Sequence, residues 1–182
     1  MLENKKILSE VGVGEVFKVA GFEFIKFYDD NGNTVVVAKN LLFDSVFGEN
    51  NNFAKSKILK RLQEEVLAKI EKEVGAENIV EHEVDLLSMD GSDKWGKVKT
   101  KISLPTFDFY RNHVKIFDKH KAKAWWWLAT PDTTTEHYDH DYWVSCVSPG
   151  GFLCGNYSDC YFGVRPFLFF VSSISVSCES EG

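Results

Sequence analysis

The chain has 182 residues, 44% of them apolar, and is rich in aromatics (fifteen Phe, six Tyr, five Trp), which suits one globular domain and excludes a disordered segment. Its formal charge is −6 and its pI about 5.4, so it lacks the cations that a general nucleic-acid binder needs to displace counterions from phosphate. No apolar run is long enough to cross a membrane and the polar start Met1-Leu-Glu-Asn-Lys-Lys has no apolar leader, so a soluble cytoplasmic protein is expected.

The N-terminal third predicts strands. Glu15 to Phe27 alternates roughly apolar with polar, broken by Gly21. Asp29-Asp-Asn-Gly-Asn33 is a turn signal, and Thr34 to Ala38 follows as a β-branched strand, which completes a β-hairpin. From Phe53 to about Val74, Ile58, Leu62, Val66 and Ile70 recur at i, i+4, the period of one helix face, and Gly75 is a natural stop. Residues 77–95 carry apolar residues among acids, ending in the loop Met89 to Asp93. A shorter helix is expected after Pro105 with Thr106 as its N-cap. Beyond Ala124 the chain predicts short strands at Trp125–Ala129, Tyr142–Val147, Phe152–Asn156 and Val164–Val171, with Pro149-Gly-Gly151 as a turn. The expected fold is α+β in one domain over 1–182: an N-terminal hairpin and long helix, then a C-terminal twisted antiparallel sheet.

Charge is segregated. Residues 64–93 hold ten acids and two lysines, residues 94–123 nine bases and two acids, and residues 124–182 seven acids and one arginine. Such blocks either form faces of opposite sign or pair with each other in the fold. Cys146, Cys154, Cys160 and Cys178 include no C-x-x-C pair and read as free thiols. His137-Tyr-Asp-His-Asp141, with Glu136, is the most metal-like cluster, but adjacent loop residues rarely converge on one ion, so neither a metal nor a cofactor is expected. His82, flanked by Glu81 and Glu83, reads as a residue of an acidic surface, and His113 and His120 as solvated members of the lysine-rich block. A lone arginine in an apolar strand, Arg165, needs a carboxylate or carbonyls, or else serves as an anion ligand. No hydrolase, metalloprotease, P-loop or dinucleotide motif is present, so a non-enzymatic role is expected.

Trp125-Trp-Trp-Leu-Ala-Thr-Pro131, a polar stretch, and then Tyr161-Phe-Gly-Val-Arg-Pro166 together resemble an uncharacterised domain family of gut bacteria and phages that ends in W-W-L-x-[ST]-P … G-V-R-P. Gly14-Glu-Val-Phe, Asn50-Asn-Asn-Phe, Glu83 to Gly91 and Trp95-Gly96 are similar to earlier parts of that family. The resemblance implies a C-type lectin-like fold. In it Trp125, Trp127, Gly163, Val164, Arg165 and Pro166 would be scaffold, and residues 132–159 a presented surface. Within a strand Trp125 and Trp127 share one face and Trp126 takes the other, and Gly163 suits a tight bend.

Length, acidity and family also look like the small phage-encoded proteins that inhibit type II-A Cas9. That likeness implies a basic protein or ribonucleoprotein partner, Cas9 with its guide RNA, with no direct contact to nucleic acid or membrane. The chain would act as a monomer or homodimer, its acids imitating DNA phosphates in a basic channel. The expected partner-binding residues are Glu81, Glu83, Asp85, Asp90, Asp93, Glu136, Tyr138, Asp139, Asp141, Tyr142, Tyr157 and Asp159. The competing reading is a lectin-like module for adhesion or host recognition.

Overall fold

The computed structural model describes residues 4–138 and 140–178, less the side chains of His137 and Tyr138. Strands β1 (Asn4–Ile7), β2 (Val16–Val19), β3 (Phe22–Asp30) and β4 (Asn33–Ala38) open the chain. Asn31 and Gly32 join β3 to β4 with φ of 48° and 81°, and two positive φ values in succession are what a turn matched to right-twisted strands requires. After β5 (Asp44–Ser45), the Ser56 hydroxyl accepts the Leu59 N–H (3.0 Å) and starts the long helix there. The helix runs as α1 (Lys57–Arg61), a π-helical stretch (Leu62–Leu67) and α2 (Ala68–Val74), ending at Gly75. It begins after the expected Phe53, because residues 53–55 form a separate 3-10 turn capped by Asn52.

β6 (Ile79–Val80), β7 (His82–Asp85), β8 (Lys97–Thr100) and β9 (Ile102–Ser103) follow. Thr106 caps α3 (Phe107–Asn112) as expected, and a break at His113 separates it from α4 (Val114–Lys119). The C-terminal part holds β10 (Trp126–Pro131), α5 (Thr135–Tyr138), β11 (Trp143–Val147), β12 (Leu153–Tyr157), β13 (Phe162–Gly163), β14 (Phe167–Val171) and β15 (Ser175–Cys178). The large sheet has the order β1-β15-β2-β3-β4-β14-β6, with β9 also on β14. The smaller runs β12-β11-β10-β13-β5, and β7 and β8 form their own ladder. The result is an α+β domain of curled antiparallel sheet and one helix of 18 residues, in which β10 and β13 alone among these pairings run parallel.

Two cores form because strand side chains alternate in direction. Val36 and Ala38 enter one core and Val35 and Val37 the other. Trp127 and Ala129 divide from Trp126 and Leu128 in the same way. The first core takes the helix stripe Ile58, Leu62, Val66 and Ile70; the second takes Tyr110 and Phe117 from α3 and α4. Trp125 is a partial exception to the expected scaffold, since it is 39% exposed and stacks on Phe162. Gly163 is required by close packing and not by a bend, because the Leu41 side chain occupies the space that a Cβ there would need.

The charged blocks pair. β7 lies against β8 with Glu83 opposite Lys99 and Asp85 opposite Lys97, and Glu83 Oε1 is 2.7 Å from Lys97 Nζ. Lys101 reaches back to Glu71 at 3.2 Å. The Glu83–Lys97 pair is exposed and screened by solvent, and the Lys101–Glu71 pair is half-buried; together they offset part of the acid strip's charge.

The three histidines read as surface groups are half-buried, each against a specific partner. His113 lies nearly parallel to Tyr28 (5.5 Å between ring centres), and its Nδ1 is 2.8 Å from Phe109 O. His120 Nε2 is 2.9 Å from Gly14 O. His82 turns inward between Phe167 and Phe169, with Nε2 2.8 Å from the Ser103 hydroxyl, while neighbouring Glu81 and Glu83 alternate outward. Burial pushes the His82 imidazole down to about 4. Its folded value lies below the unfolded one, so the unfolded chain binds the extra proton, and the stability this site contributes is complete above about pH 6.5 and lost as the pH falls toward 4. Unfolding free energies of wild type and His82→Gln from urea titrations, followed from pH 7 to pH 4, should shift relative to each other by about 3 kcal/mol as the wild type loses this contribution. Parallel pH profiles would rule the assignment out.

Candidate functional site

Two loops, 86–96 and 132–142, meet at one end of the small sheet, and a buried asparagine holds them there. Asn51 has no solvent exposure. Its Nδ2 donates to Thr133 O (2.6 Å) and Trp143 O (2.8 Å), and its Oδ1 accepts from Trp95 Nε1 (2.9 Å). Its backbone N–H donates to Asp141 O (2.8 Å). One side chain thus ties the segment before the helix to both loops. The first loop also bonds to the end of β10, where the second loop begins, through Met89 N to Pro131 O (2.9 Å).

The acids of these loops are largely turned toward each other's hydrogen-bond donors. The Asp90 carboxylate accepts the Thr134 N–H (3.0 Å) and the Ser88 hydroxyl. Glu136 accepts the Ser92 hydroxyl, which crosses from one loop to the other. Lys94 lies 4.5 Å from the centre of the Trp95 ring and 3.4 Å from Asp141 Oδ2. Asp132 is half-buried, and burial first and the Asp90 charge second raise its carboxyl above the usual range.

The outer face of this end is aromatic. Trp143 and Tyr157 sit directly opposite each other on β11 and β12, their rings 4.7 Å apart. The His140 ring runs parallel to Tyr142. Tyr142 and Tyr157 are each 50% exposed and Tyr161 is 72% exposed. β12 is one of the two edge strands of the small sheet.

The expected partner-binding residues therefore divide. Glu81 lies exposed just before β7, and Glu83 and Asp85 lie exposed along it, opposite lysines. Asp90 and Glu136 brace the loops, and Asp141 is half-buried beside Lys94. Asp93, Tyr142, Tyr157 and Asp159 are exposed. Asp139 and the side chain of Tyr138 lie outside the described residues, as does the side chain of His137. Among the described residues no group of three or more His, Cys, Asp or Glu side chains is placed to hold a metal ion. Sequence reasoning did not single out Asn51, Trp95, Ser88, Ser92 or Thr134, whose polar types are common in loops. Asn50-Asn-Asn-Phe and Trp95-Gly96 enter the sequence reading only through the family resemblance, which assigns them no role in a site.

Cys146 and Cys154 face each other across β11 and β12, with Sγ atoms 3.0 Å apart. Burial raises both thiols, and for Cys146 the hydrogen bond to Cys154 adds to it. Both stay protonated at neutral pH, which makes them poor nucleophiles. Cys160 donates to Asn156 Oδ1 (3.2 Å). No described helix is long and apolar enough to cross a membrane. No family model, no curated protein and no solved structure matches the chain.

Proposed function

We propose that this chain is a non-enzymatic inhibitor that binds a basic protein or ribonucleoprotein through the loop end of its small sheet. The observation that carries this reading is the pair of half-exposed tyrosines, Tyr142 and Tyr157, flanking a rigid platform. Tyrosine on a fixed backbone supplies large contact area at low entropic cost, and the Asn51 bonds fix that backbone. Exposed Asp93 on one loop and Asp159 after β12 add negative charge, which favours a cationic partner. Cas9 with its guide RNA is the partner that the chain's likeness to phage-encoded Cas9 inhibitors suggests. The braced loops, rather than the lysine-paired β7 strip, are the surface that would occupy its DNA path.

Co-purification with the Cas9–guide RNA complex, followed by a DNA-cleavage assay, tests this. Retention on the complex and blocked cleavage are expected. Tyr142→Ala with Tyr157→Ala should weaken binding at least ten-fold, about 1.4 kcal/mol or more, and leave the melting temperature nearly unchanged because both rings are half in solvent. No retention and unimpaired cleavage would remove Cas9 as the partner. Retention unaffected by the double substitution would move the interface elsewhere.

A further inference from the structure

β11 and β12 pair in unbroken register from Trp143–Tyr157 to Val147–Leu153, and Cys146 stands directly opposite Cys154. Ser148 N donates to Phe152 O (2.9 Å) and Ser158 N to Tyr142 O (2.7 Å), so residue pairs of this parity, Cys146 and Cys154 among them, are the hydrogen-bonded ones. Cα atoms in such a pair stand about 5.5 Å apart, inside the range that a disulfide spans. The Sγ atoms are 3.0 Å apart and need to close by about 1 Å to reach bonding distance. No strand has to slide for the two sulfurs to meet.

The two thiols differ in access. Cys146 has no solvent exposure, whereas Cys154 is part-exposed on the edge strand. Cys160 directs its own thiol to Asn156 Oδ1 (3.2 Å), and Cys178 lies on β15 of the large sheet. A reagent from solvent therefore meets Cys154 first, with Cys146 behind it as the nearest sulfur.

We infer that Cys146 and Cys154 form a site of reversible oxidation, at which a small-molecule disulfide installs a cross-strand disulfide bond. The Cys154 thiolate attacks one sulfur of the reagent RSSR, forming Cys154–S–SR and releasing RS⁻, which takes up the proton that Cys154 lost. Cys146, deprotonated in turn, attacks Cys154 Sγ and displaces the second RS⁻, which takes up that proton. Two protein thiols and RSSR become one protein disulfide and two RSH, and two electrons pass from the protein to the reagent. Burial holds both thiols above their ordinary range, so exchange is slow at neutral pH and quickens as the pH rises. β12 belongs to the small sheet through β11. The bond tethers it there, and with it Tyr157, which packs on Trp143 on the opposite face of the same ladder.

The test treats the folded protein with excess oxidised glutathione at about pH 8.5, near the ordinary thiol pKa, then alkylates it in denaturant and maps the peptides by mass. In the wild type, one intramolecular bond between Cys146 and Cys154 is expected. Cys160→Ser with Cys178→Ser retains only this pair. It should lose both thiols without keeping a glutathione adduct, and dithiothreitol should restore both. Hydrogen exchange at Leu153 to Tyr157 should be slower in the oxidised form than in the reduced one. Two thiols persisting in the double variant, a lasting glutathione adduct on Cys154, or a bond that uses Cys160 or Cys178 instead would overturn the assignment. Equal exchange in the two forms would overturn the tethering of β12.

Discussion

Asn51→Ala is expected to lower stability by about 3 kcal/mol and to loosen the loop end of the small sheet before the rest of the domain. The substitution removes three hydrogen bonds from a site with no solvent access. The cost is uneven. Trp143 O keeps a partner, since the Asp132 N–H also donates to it (2.9 Å), and Trp95 is half-buried, so its indole N–H can reach water. Thr133 O loses a bond of 2.6 Å. At about 1 kcal/mol for each lost bond, with more for a buried acceptor left alone, the sum is about 3 kcal/mol. The melting temperature should then fall by roughly 6–12 °C. Hydrogen exchange should show the loss of protection first in residues 86–96 and 132–142. Uniform loss across both sheets would mean that Asn51 supports the whole fold and not the loop platform. Asn51→Asp should be at least as damaging, because it keeps the acceptor for Trp95 while burying a charge and deleting both donors.

Trp127→Ala should cost about 3–5 kcal/mol, the range for deleting a fully buried large aromatic. The ring is completely enclosed, 4.5 Å from Phe162 and 5.7 Å from Phe47, and its Nε1 donates to Ser45 O (3.0 Å). It therefore connects β10, β13, β5 and the segment before the helix through one side chain. Trp127→Phe keeps most of the ring contact and loses the hydrogen bond, so about 1–2 kcal/mol is expected. Urea unfolding of both variants measures the two contributions separately. Equal losses would place nearly all of the effect in the hydrogen bond and contradict the packing account.

The elements readable from the sequence are those whose pattern is local. The helix stripe of Ile58, Leu62, Val66 and Ile70 repeats with the helix period and is buried in one core. Asn31-Gly32 dictates its turn through φ, and Thr106 caps α3 as its hydroxyl allows. The strand alternation that put Trp127 and Trp126 on opposite faces is seen in the two cores. β1, β15 and the two-residue strands β5, β6, β9 and β13 had no such signal. They are short, several are polar, and each exists because a distant strand pairs with it, as Asn4–Ile7 does with Ser175–Cys178.

The sequence by itself determined an α+β chain with an acidic surplus, a long helix and a tryptophan-rich strand, because composition, period and turn chemistry are properties of neighbouring residues. Only the tertiary structure decided what the charged and polar groups do. It set the acids of β7 against the lysines of β8, turned His82 inward, and used Asn51 to bind loops about 40 and 90 residues away into one platform. It also left Arg165 buried with a carbonyl and two rings in place of a carboxylate. A charge or a hydrogen-bonding group acquires its role from its partner, and the partner's place is fixed by folding rather than by spacing along the chain.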